Sequence, residues 1–184
     1  ASMKSLDALA KTADKIGVTT EALAGLQHAG EITGVSTEVM NKSLQKMTVS
    51  ISEAADGTGI AKDAIADLGL NAVQLNKLPL DKKMNVLAGA FANVENHADK
   101  VRYATEIFGA KGAALVNTLA LGEDGLNAMA AEASHLGLAM SRVDTAQVEA
   151  ANDAVSRAGG VFEGLGNQFA VSFSPIIQET ADSF

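Results

Sequence analysis

The sequence predicts an all-α fold: a bundle of short helices joined at glycines over residues 1–140, then a longer apolar-seamed helix over 141–184. Three observations predict it. Glycines followed by an apolar residue punctuate the chain at regular intervals. Between them, apolar residues recur at steps of three and four, and no run alternates with period two as a strand would. The chain is also 47% apolar but only 4% aromatic. Its apolar content is therefore mostly Ala, Leu, Val, Ile and Met, which suits close helix packing better than a β-sandwich.

The first helix is expected from about Ser5 to Ile16, with Leu6, Leu9, Ala13 and Ile16 on one side. The second runs from about Thr20 to Thr33, with Leu23, Leu26 and Ile32 on its apolar side. The third starts after Ser36, and Met40, Leu44, Met47, Ile51 and Ala54 step along it like a coiled-coil seam. Gly57-Thr58-Gly59 breaks it. A helix over Ile60–Leu68 then stops at Gly69, followed by a short one near Ala72–Lys77, one over Asp81–Asn93 and one over Asn96–Phe108. Asn96 and Asp99 have capping-box spacing, with Asp in place of the usual Glu. Helices over Ala110–Leu121 and Glu123–Leu136 complete the series. Gly17, Gly34, Gly69 and Gly137 are the candidate helix joints, since each precedes an apolar residue able to fold back on the last turn.

After Ser141 the pattern changes. Val148, Val155, Phe162, Phe169 and Ile176 recur every seven residues, with Ala151, Ala158 and Leu165 between them, a heptad seam interrupted at Pro175. Val148, Val155, Phe162 and Phe169 are the candidate self-association seam, which makes a homo-oligomer the expected state. Gly160 and Gly164 are four apart, as are Gly166 and Ala170, a spacing that lets another backbone approach closely. A membrane span is the weaker reading of this stretch, because Glu163, Asn167 and Gln168 interrupt the roughly 20 apolar residues that spanning requires. The chain stops at Phe184 while still apolar, which fits a segment of a longer protein.

Little in the sequence points to catalysis or a cofactor. With no cysteine, thiolate metal sites and disulfides are excluded. His28, His97 and His135 fall on three different helices and are expected at the surface or at helix ends. His28 and Glu31 share the spacing of carboxylate-bridged metal bundles, but the further ligands such a site needs are missing, so no metal is expected. Gly57-Thr58-Gly59 and Gly109-Ala110-Lys111-Gly112 lack the strand before and the Gly-Lys-Ser/Thr ending of a phosphate loop, and are expected to be helix breaks. No Gly-x-Ser-x-Gly elbow occurs. A formal charge of -8, with Lys82-Lys83 the only adjacent basic pair, argues against a nucleic-acid surface. No secretory signal is expected, since Ala1 to Lys15 is amphipathic where an apolar core is needed.

The joints themselves repeat. Gly17-Val18-Thr19-Thr20-Glu21-Ala22-Leu23 is followed by Gly34-Val35-Ser36-Thr37-Glu38-Val39-Met40. Each copy ends one helix at a glycine, caps the next with a hydroxyl and puts a glutamate in its first turn, where the helix dipole favours it. With Ser5–Gly17 before it and Val94–Gly109 later, this repeat resembles an internal segment of phage or prophage tail tape measure proteins. The resemblance implies a structural protein that is not an enzyme. It would lie in the tail lumen of the virion after assembly in the host cytoplasm, with tail tube and tail assembly proteins as partners. Its length would set tail length, and it would be ejected ahead of the DNA. The alternative is a membrane-active helical module that assists envelope penetration.

Overall fold

A computed structural model describes residues 3–138 of the chain, with the side chains described from Asp7 onward. Its order is α1 (Met3–Ile16), α2 (Thr20–Ile32), α3 (Thr37–Ala55), α4 (Ala61–Asp67), α5 (Ala72–Asn76), α6 (Leu80–Ala92), α7 (His97–Phe108), a 3-10 turn (Gly112–Leu115), α8 (Val116–Leu119) and α9 (Gly122–His135). All regular structure among the described residues is helical. The expected seam of Val148, Val155, Phe162 and Phe169 lies outside the described residues.

Local chemistry sets the boundaries. Thr19 Oγ1 accepts from the Ala22 amide at 3.2 Å and Ser36 Oγ from the Val39 amide at 3.4 Å, so both hydroxyls use up an N–H that the first turn leaves unpaired. Asn71 and Asn96 do the same for α5 and α7. Asp99 makes no return bond to Asn96 among the described contacts and instead lies 3.9 Å from the Arg102 guanidinium. At the other end of α2, Gly34 takes φ 86°. Its amide donates to the Glu31 carbonyl at 3.2 Å while the Val35 amide donates to the Gly30 carbonyl at 2.7 Å, the paired bonds of a Schellman motif. Val35 is thereby folded onto the core and buried. The same two bonds close α1 at Gly17, α4 at Gly69 and α9 at Gly137. They also close α3 at Gly57, where the following residue is the polar Thr58, whose hydroxyl adds a 3.0 Å bond to the Glu53 carbonyl.

α3 is the central packing element. Met40, Leu44, Met47 and Ile51 have no exposed surface, and the helix packs on α2, α4, α5 and α7. Phe91 from α6 meets Tyr103 from α7 edge-on, with ring centroids 6.5 Å apart. Lys83 is the one charged residue buried in this part of α6. Its ammonium reaches Asn76 Oδ1 at 3.4 Å, and desolvation holds its pKa below the usual lysine value.

Two expectations change. The helix expected over Ala110–Leu121 is a 3-10 turn followed by the single turn of α8. The reason is Gly112, which sits so close to the Ala104 carbonyl that a β-carbon there would overlap it. α7 and the segment after it are thus pressed together, and no regular helix continues through the contact. Ile32, expected on the buried side of α2, is 62% exposed, because the chain turns at Gly34 and Val35 covers the core in its place.

Candidate functional site

Among the described residues a groove of about 300 Å³ opens where α2, α6 and α9 meet. Small residues make it. Gly25 on α2 faces Ala130 on α9 so closely that a β-carbon on Gly25 would lie 2.9 Å from both Cα and Cβ of Ala130. Two helices can cross at this distance only where neither carries bulk. Ala22, Gly25 and Leu26 of α2 and Leu126 and Ala130 of α9 line the apolar part. Glu21, Asp81, Lys82, Asn85, Asn127, Thr19 and Ser134 form the polar part.

Across the groove, the Asn85 side-chain amide donates to Asn127 Oδ1 at 2.8 Å and links α6 to α9. Asn85 is almost fully buried, so this bond offsets much of the cost of desolvating its amide. The hydroxyls are engaged with backbone. Thr19 caps α2, and Ser134 Oγ donates to the Ala130 carbonyl at 3.1 Å. Neither hydroxyl is paired with a histidine in a nucleophile–base arrangement among the described contacts.

His28 lies at the same α2–α9 contact. It is only 8% exposed, contrary to its expected position at the surface or a helix end, because α9 covers its face of α2. Its Nε2 is 3.4 Å from Glu132 Oε2, within ion-pair range, yet it makes no hydrogen bond and is buried. Glu31 is not its partner. That carboxylate accepts from Thr37 Oγ1 at 3.0 Å on the exposed side. His97 opens α7 and His135 closes α9, both exposed. Among the described residues no group of three or more acidic or histidine side chains converges in a way that would hold a metal ion.

The joint glycines do not line this groove. Gly17 and Gly34 bracket α2, Gly69 separates α4 from α5, and Gly137 ends α9, so they shape the bundle from its corners. Sequence reasoning missed the pairing of α2 with α9, and with it Gly25, Ala130, Asn85, Asn127 and Glu132. The available signal was the small residues Ala22, Gly25 and Ala29 on α2 beside Ala130 and Ala133 on α9, which spacing alone does not join. Compared with protein-family profiles, characterised proteins and solved structures, the chain matches none.

Proposed function

We propose that this chain is a structural segment of a phage or prophage tail tape measure protein, held in the tail lumen while tube subunits assemble around it and ejected ahead of the DNA. The observation that carries the reading is the duplicated joint, Gly17–Leu23 and Gly34–Met40, with its glycine, apolar residue, hydroxyl cap and first-turn glutamate in the same order. The helical bundle built on those joints is compatible with it. So is the groove, whose Thr19 and Ser134 hydroxyls are bonded to backbone. A ruler works by length: 184 residues in one continuous helix span roughly 280 Å at about 1.5 Å per residue, and a bundle folded at its joints spans far less. The partners are the tail tube and tail assembly proteins, and nucleic acid is not bound in a sequence-specific way.

The test is an in-frame deletion of these residues from the parent gene, with tail lengths measured by electron microscopy. Shorter tails of uniform length are expected, by no more than the fully helical span. Tails of unchanged length, or a parent gene with no tail genes around it, overturn the proposal. The second reading, a membrane-active module, rests on the apolar stretch after Ala158, which lies outside the described residues. Among the described residues no helix is long and apolar enough to cross a bilayer.

A further inference from the structure

α9 makes a broad contact with α2, yet it buries few of its own side chains and its first turn is weak. α9 begins at Gly122 with φ 68°, has a second glycine, Gly125, in its first turn, and starts without the side-chain cap that α2, α3 and α7 possess. Glycine and an uncapped first turn both weaken a helix from within. Of its 14 residues only Leu126 and Ala133 are buried, against eight of the 13 in α2. Leu126 is its only fully buried contribution to the continuous apolar core, with Met129 packed at the edge.

The surface it covers is equally marked. Beneath α9 lie the groove of about 300 Å³, the buried His28 Nε2 with no hydrogen bond, and the Asn85–Asn127 bond as the main directional tie to α6. His28 Nε2 lies 3.4 Å from Glu132 Oε2 of α9 without forming a hydrogen bond, so the closed state leaves it incompletely satisfied and water reaching it on opening offsets the loss of that neighbour. By contrast α3 keeps Met40, Leu44, Met47 and Ile51 wholly buried, packed on α4, α5 and α7, which make no extensive contact with α9, and on α2, which packs on α9 as well.

We infer that α9 is a strap that lifts off α2 and α6 as a unit while the bundle from α1 to α8 stays folded, hydrating His28 and opening the groove. Local opening of this kind draws on elements with few buried contacts and leaves the dense core intact. The inference does not depend on the tail reading, since it concerns only the order in which this chain opens.

Hydrogen exchange of the full chain, followed by mass spectrometry well below the melting temperature, tests it. Peptides within 122–135 are expected to show protection at least about tenfold lower than peptides within 37–55. Gly25→Ala sharpens the test. Alanine in place of glycine normally strengthens a helix interior, but here its methyl meets Ala130, so protection of 122–135 should fall further while that of 37–55 holds or rises. Equal protection of the two regions in the unmodified protein overturns the strap. So does an equal loss in both regions on Gly25→Ala, which would mean that α9 and the core open together.

Discussion

Gly34 and Gly112 both exclude a side chain, for different physical reasons, and the difference is measurable. Gly34 holds φ 86° with nothing within 4 Å of where a β-carbon would be, so its constraint is purely conformational. An alanine there costs about 1 kcal/mol, the left-handed penalty net of the entropy it removes from the unfolded chain. Gly112 has no positive φ, but its β-carbon would overlap the Ala104 carbonyl and press on Phe108 Cβ at 3.0 Å. Backbone cannot yield as a flexible side chain does, so Gly112→Ala is expected to cost about 3 kcal/mol or more. Parallel urea melts of the two variants check this, and equal losses would contradict it. The joint at Gly34 is legible in sequence, because glycine, valine and a hydroxyl appear in a fixed order. The constraint at Gly112 is not, because it depends on a carbonyl eight residues away brought close by the turn after α7.

At the scale of elements, periodicity reads well where one face of a helix is buried and poorly where two are. Every residue of the α3 stripe from Met40 to Ala54 is buried, and its spacing identifies the face in advance. The spacing does not say what meets that face. A coiled-coil-like pattern is here satisfied by α2, α4, α5 and α7 of the same chain. α2 is sandwiched instead, with Leu23, Leu26 and Ala29 in the main core and Gly25 and His28 against α9, so a single stripe of Leu23, Leu26 and Ile32 misplaces its end. Leu44→Ala should lose about 3 kcal/mol by leaving a cavity in the core, whereas Ile32→Ala should change stability by less than about 0.5 kcal/mol. Chemical denaturation of both variants decides between this packing and the simple amphipathic reading, under which the two losses would be alike. The candidate groove was not legible for a related reason: α2 and α9 are about a hundred residues apart, and the small residues that let them meet carry no polar or charged signature of a site.

For the whole molecule, the open question is what covers the heptad seam of Val148, Val155, Phe162 and Phe169. From Ala158 to Gln178 the only charged side chain is Glu163, so a helix bearing that seam would expose an apolar stripe that soluble monomers rarely carry. Two coverings are physically available: another copy of the chain, or the chain's own helices in the way that α3 is covered. A net charge of -8 makes copies repel one another, and salt near 0.15 M screens that repulsion beyond about 8 Å, so association is best measured there and not in dilute buffer. We expect sedimentation to show an oligomer at micromolar concentration. Replacing Phe162 and Phe169 together with serine should then yield a monomer whose helical circular dichroism and melting temperature stay close to those of the parent. A parent chain that sediments as a monomer across the accessible range rules out the intermolecular seam. So does a double variant that loses its cooperative melt, since the two phenylalanines would then be part of the chain's own core.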